Sequence, residues 1–171
     1  MDLSSKFIDI SRYQKVKKIG EGNFAEVFLV KMKNNNEKFA AKLFSKPPVD
    51  SSQSLAIHES TIYHILNHPS IAKFYGISFS SFDDNDKLVP TILLEYFYNT
   101  NLKNVLDSEQ KTLTPPGWSS TKKCICIIGT ANAMKYIHKK GIIHNNLNPY
   151  SIFLDDDFYP QIGSFLKSEF I

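Results

Sequence analysis

The sequence predicts an α+β protein whose strand-rich first half, carrying one helix, leads into a mainly helical second half. Two observations point there. Segments rich in Val, Ile and Phe and separated by turn residues dominate up to about Tyr98, and apolar residues at helical spacing dominate after Asn101. A third is composition: 42% hydrophobic and 22% charged residues match an ordinary globular domain and exclude wholesale disorder or a nucleic-acid polycation.

After a short basic lead, Lys15 to Ile19, Ala25 to Lys31 and Lys38 to Phe44 read as three strands. Between the last two, Asn34-Asn35-Asn36 tolerates left-handed backbone and marks a hairpin turn. From Ser52 the period changes, with Leu55, Ile62, Ile65 and Leu66 at helical spacing until His68-Pro69 stops the helix. Ile71 to Phe79 and Leu88 to Glu95 are again strand-like, divided by the acidic loop Asp83 to Asp86, which completes five strands and one helix. Asn101 to Asp107 is a short helix, and Pro115-Pro116-Gly117 breaks the chain before a longer one. Ser119 or Ser120 caps that helix, Cys124, Ile127, Ile128, Ala131, Met134 and Ile137 form its apolar stripe, and Gly141 ends it. Beyond it, Ser151 to Leu154 and Tyr159 to Ile162 read as short strands around Asp155-Asp156-Asp157.

The formal charge of +3 is carried by the first eighteen residues, with five cations against two anions, so the remainder is neutral. Lys15, Lys17 and Lys18 read as a solvated edge of the first strand, and nucleic-acid binding has no other support. The two cysteines, Cys124 and Cys126, stand one residue apart in a helical pattern. They point to different faces, as core or partly buried thiols, and not to a disulfide framework or zinc site. The longest apolar stretch is too short and too interrupted to span a bilayer. No membrane partner and an intracellular, cytoplasmic location are expected.

The first chemical signal is Ile19-Gly20-Glu21-Gly22-Asn23-Phe24-Ala25-Glu26-Val27. Glycines without Cβ let backbone amides approach phosphate oxygens. A dinucleotide fingerprint would need a following helix, whereas Val27-Phe28-Leu29-Val30 reads as strand, and the Gly-Lys-Ser/Thr of a Walker loop is absent. Further motifs follow in order: Phe39-Ala40-Ala41-Lys42; Glu59, nine residues before His68; Leu93-Leu94-Glu95-Tyr96-Phe97; the run Ile142 to Leu154; and Pro160 to Leu166. Together they resemble the protein kinase family across roughly residues 13 to 168, on its Ser/Thr or tyrosine-kinase-like branches.

The resemblance implies a protein-kinase-like fold with a complete five-stranded N-lobe over residues 13–98 and the first part of a mainly helical C-lobe over 99–171. It implies ATP as the ligand, with Ile19, Gly20, Gly22, Val27, Ala40, Leu94, Glu95, Phe97 and Phe153 around the nucleotide. Lys42 would contact its α/β-phosphates and Glu59 would hold the ammonium in place. The departures fall on the chemistry. Asn146 stands where the family places its catalytic Asp, and Ser151 and Ser164 occupy the two metal-ligand positions. A neutral amide has no comparable basicity, and two hydroxyls hold Mg²⁺ poorly. Asn145, Asn148 and Leu166 also depart from the family's pattern, the Asp155 to Asp157 run reads as a solvated turn, and His144 reads as a packing residue. The chain ends soon after Ser164, so a truncated domain is expected, with the stripe of its long helix partly uncovered.

The expected function is that of a pseudokinase, which binds nucleotide without efficient phosphotransfer and docks on another kinase or a scaffold protein. The alternatives are an active Ser/Thr kinase with atypical catalytic residues and a non-functional gene fragment.

Overall fold

The structure, a computed structural model, describes residues 3–83, 87–98 and 101–171. They fall into two compact units: residues up to Ile65 with Lys73–Tyr96, and Leu66–Ala72 with Phe97–Ile171. In the first, β1 (Tyr13–Glu21), β2 (Glu26–Met32), β3 (Lys38–Leu43), β4 (Phe74–Ser80) and β5 (Leu88–Glu95) form one antiparallel sheet of order β1-β2-β3-β5-β4. One helix, α1 (Val49–Ile65), packs on β4 and β5. The expected asparagine tip closes the β2–β3 hairpin, with Asn36 at φ 59°. Of the expected acidic loop, Asp84 to Asp86 lie outside the described residues.

Side chains alternate across a strand, so the register sorts the sheet into two faces. Phe39, Ala41 and Leu43 of β3 join Val30 and Leu93 in one core, together with Ile10 and Tyr13. The opposite face carries Val27 beside Lys42 and Ala40 beside Leu94.

A first correction is an omission in the sequence reading: Lys15, Lys17 and Lys18 lie on β1 at the edge of the sheet, as expected, but the apolar residues ahead of β1 pack against the first core. Ile10 is buried, Ile8 lies against the same cluster, and the Ile8 amide donates to the Ile77 carbonyl at 2.9 Å while Phe7 bridges Ile77 in parallel. The segment thereby covers the otherwise open edge of β4. Its fit depends on Gly76, where a Cβ would fall 2.3 Å from Ile8 Cγ2 and 2.6 Å from the Lys6 carbonyl oxygen. Gly76→Ala is therefore expected to lift residues 6–8 off the sheet and destabilise the chain by about 2 kcal/mol. Unchanged hydrogen exchange at the Ile8 amide in that variant would contradict the packing.

A second correction concerns β4, which begins at Phe74 and not at Ile71. The Ile71 amide turns back to the His68 carbonyl, and Ile71 bridges Ile162 while the Ala72 amide donates to the Ile162 carbonyl. These backbone groups are satisfied within the second unit, so the chain cannot join the sheet until it has left them.

The second unit holds α2 (Leu102–Gln110), α3 (Ser120–Lys139), β6 (Ile142–Ile143), β7 (Ile152–Leu154), β8 (Pro160–Ile162) and β9 (Glu169–Phe170). Asn101 caps α2 through the Asn104 amide and Ser119 caps α3 through the Lys122 amide, while Gly141, at φ 71°, follows the end of α3. β7 pairs with β8 and β6 with β9. Val105, Trp118, Cys126, Ile152, Leu154 and Phe158 form the core.

The stripe expected on α3 is partly uncovered, as the sequence led us to expect. Ile127 and Ile128 are 69% and 60% exposed, Cys124 is an exposed thiol and Ala131 is exposed, whereas Cys126, Ala133 and Ile137 are buried. The helix is apolar on more than one side, so periodicity alone does not choose the buried face. Close approach does: a Cβ at Gly129 would sit 2.5 Å from Pro160 Cγ, so the missing side chain admits β8. Among the described residues no helix is long and apolar enough to cross a membrane.

Candidate functional site

In the first unit the glycine-rich turn joins β1 to β2, and the Gly22 amide donates to the Ala25 carbonyl at 2.9 Å to close it. Gly20 sits opposite Val27. A Cβ on Gly20 would meet Val27 at an ordinary 3.6 Å, and one on Gly22 would meet only the Ala25 oxygen at 3.8 Å. Neither glycine has a positive φ. The fold itself would tolerate side chains there, so what their absence leaves open is the outer surface of the turn and its backbone amides.

Val27, Ala40, Lys42 and Leu94 share one sheet face by register, and Ile19, near the end of β1, is exposed. α1 presents Glu59 to Lys42, with Nζ to Oε2 at 2.5 Å. The Glu59 side chain is wholly buried, that of Lys42 is 17% exposed, and Glu59 Oε1 has no hydrogen-bond partner. A buried carboxylate is tolerable only with its cation beside it, so the pair holds the ammonium at a defined place on the sheet. The Glu95 amide is engaged by the Lys73 carbonyl at 2.9 Å, at the end of β5.

Sequence reasoning missed two features of this unit. One is a charged network over the glycine turn: Lys18 bonds Glu21 and Glu26 at 2.6 Å each, and Lys46 bonds Glu21 as well. The hydrogen bond from Lys18, reinforced by that from Lys46, holds the Glu21 carboxyl down at about 2. Because that value is depressed, the contribution of Glu21 to stability is full above its unfolded value near 4.5 and is lost as pH falls through about 2. Glu21→Gln is expected to flatten the acid side of the unfolding-midpoint profile across that window. A variant as acid-sensitive as the parent would refute the pairing. The other missed feature is Phe44, which follows β3 and is fully buried on the Lys42 side. Period-two alternation from Lys42 was the available signal.

In the second unit, Phe97 stacks on Phe153, with ring centroids 5.6 Å apart and planes 20° from parallel. The loop between β6 and β7 is built by its own polar groups. The Asn146 amide donates to His144 Nδ1 at 3.2 Å, which leaves the proton on Nε2 to donate to the Gly163 carbonyl at 3.0 Å. His144 is therefore a neutral, buried anchor, as expected of a packing residue. The Ser151 hydroxyl accepts from the Asn148 amide at 3.0 Å and lies 3.2 Å and 2.9 Å from the carbonyls of Asn146 and Asn148. With Ser151 only 1% exposed, its one proton and its lone pairs serve the loop backbone. Ser164 is half-buried and left-handed at φ 67°. Asp155 accepts from the amides of Asp157 and Tyr159 and so closes its own turn.

For a magnesium ion this donor set does not fit. The two ligand positions hold one engaged hydroxyl and a second hydroxyl, neither ionisable near neutral pH, where the ion favours carboxylate oxygens. Among the described residues no group of three or more His, Cys, Asp and Glu could hold a metal ion.

Glycine turn, strand lysine, helix glutamate and the anchored His144 loop recur together in one fold class. The protein kinase domain family matches residues 13–167, and the chain belongs to it. Over 149 residues the chain is 32% identical to the cell cycle serine/threonine-protein kinase CDC5/MSD2 of Saccharomyces cerevisiae, covering 86% of this chain and 19% of that protein. It is 27% identical to the serine/threonine-protein kinase polo of Drosophila melanogaster, over 96% of this chain and 27% of the relative. It is also 27% identical to cyclin-dependent kinase 14 of Xenopus laevis, over 95% of this chain and 34% of the relative. The chain thus spans between 19% and 34% of the length of these relatives.

Proposed function

We propose that this protein kinase domain is a cytoplasmic pseudokinase: it binds ATP through its N-lobe, residues 13–98, and does not transfer phosphate efficiently. The observation that carries the reading is the Lys42–Glu59 pair at 2.5 Å, an ammonium held ready for phosphate oxygens by a buried carboxylate. Gly20 and Gly22 admit the phosphates, and Ile19, Val27, Ala40, Leu94 and Glu95 of the first unit face the base and sugar; the family resemblance adds Phe97 and Phe153 as further candidates. In residues 99–171, Asn146 cannot accept a proton from a substrate hydroxyl, and Ser151 and Ser164 do not supply a metal site. A domain with binding but no chemistry acts through what it docks on, and another kinase or a scaffold protein is the partner proposed.

The test is a thermal-unfolding titration of the whole chain with ATP, run with Mg²⁺ and again with EDTA. A ligand that binds only the folded state raises the midpoint by mass action. An equal rise in both supports metal-independent binding, and no rise in either removes the nucleotide site. A rise only with Mg²⁺ would favour the second reading, an active kinase with atypical residues, which the names of the serine/threonine relatives make worth testing. Transfer of labelled phosphate that disappears in both Lys42→Ala and Asn146→Ala would establish it.

A further inference from the structure

Lys42 has a second neighbour besides Glu59. Its Nζ lies over the face of the Phe44 ring, 5.2 Å from the centroid. Phe44 is 1% exposed, its amide donates to the Pro90 carbonyl at 2.8 Å, and it follows Lys42 by two residues, so the extended backbone brings both side chains to one face. The aromatic ring is thus locked by packing while the lysine, four flexible carbons long, is not locked by its own backbone.

We propose that Phe44 is a positioning residue for Lys42: the negative face of its ring holds the ammonium from below while Glu59 holds it from the side. The inference rests on the nucleotide-binding reading for its consequence, not for its geometry. An aromatic face attracts a cation within about 6 Å of its centroid, most strongly where water is partly excluded. The two restraints differ in kind. Glu59 supplies charge, but with only one oxygen bonded to Lys42 a single contact leaves the ammonium free to swing about it. A ring face adds the second direction and, being neutral, does not compete with phosphate for the lysine protons. A leucine at position 44 would fill the core similarly but would leave that direction unrestrained.

A merely structural role and a positioning role separate when the ring keeps its shape and loses its charge distribution. Replacing Phe44 by a trifluorinated phenylalanine does this, since fluorine withdraws electron density from the ring face; Phe44→Leu is the second variant. Two readouts are made on the whole chain: nitrogen-15 relaxation of the Lys42 ammonium without nucleotide, and ATP affinity by titration calorimetry. The fluorinated protein is expected to unfold at the parent's temperature, to show a more mobile ammonium, and to bind ATP roughly threefold more weakly. The affinity effect is expected to vanish in a Lys42→Ala background, as it must when one residue acts through the other. An ammonium as ordered in the fluorinated protein as in the parent would overturn the proposal, and so would an affinity loss that persists without Lys42. If the parent chain binds no ATP, the proposed function fails, and the ammonium relaxation alone still decides the role of Phe44.

Discussion

Lys42→Ala is expected to abolish measurable ATP binding and to destabilise the fold by about 3 to 5 kcal/mol, the cost of leaving a buried charge without its partner. The second effect follows from the asymmetry of the pair: Glu59 is wholly buried and its other oxygen is already without a hydrogen bond. Removing the lysine therefore strands both oxygens of a carboxylate on the inner face of the sheet. Replacing both residues, Lys42→Met with Glu59→Leu, is expected to recover most of the stability and none of the binding, because apolar groups of similar size need no partner. Urea denaturation and titration calorimetry on the same samples separate the two losses. If Lys42→Ala proved as stable as the parent, the ion pair would not be the restraint described here. If it bound ATP as tightly as the parent, the glycine turn and Lys42 would not form the nucleotide site.

The second large effect is a gain. Joint replacement Asn146→Asp, Ser151→Asn and Ser164→Asp is expected to make ATP binding depend on Mg²⁺, and to raise phosphate transfer by about a hundred- to ten-thousand-fold, the range assigned to a general base. Each position bears on the outcome differently. The Asn146 carbonyl already anchors Asn148 Nδ2 at 2.8 Å, so the backbone that would present an aspartate is in place. Ser164, at φ 67°, holds a left-handed conformation that aspartate adopts more readily than most residues. Ser151 is the difficult one: it is buried, and a larger amide there is expected to cost about 1 to 3 kcal/mol through overpacking. The check is the same thermal titration with Mg²⁺ and with EDTA, alongside transfer of labelled phosphate to a general protein substrate. A triple variant that folds and still responds equally with and without the metal would show that these three positions do not decide metal-dependent nucleotide binding.

Much of the architecture was legible in the residues. Alternation and turn chemistry placed all five strands, with β5 matching residue for residue, because a half-buried sheet imposes a period that a single sequence displays. Asn36, Gly141 and Ser119 marked a turn, a helix end and a cap for the local reason that each conformation or hydrogen bond suits those residue types. Ordered motifs were enough to anticipate the family, since its signature residues are spaced by the fold that carries them.

What the sequence could not decide was which neighbour each segment would meet. α3 had apolar residues on more than one side, and the approach of Pro160 over Gly129 chose the face that buries Cys126 and Ala133 and leaves Ile127 and Ile128 in water. Lys15, Lys17 and Lys18 read correctly as a solvated edge of the first strand, but nothing local to Ile8 and Ile10 showed that they complete a core with strands distant in sequence. The same holds at the site. Residue types and spacing named Lys42 and Glu59, but only packing across the sheet and α1 put 2.5 Å between them, engaged the Ser151 hydroxyl in its own loop, and laid Phe44 beneath the ammonium. Local conformational preference is written along the chain, whereas burial and pairing are properties of surfaces that meet only once the chain has folded.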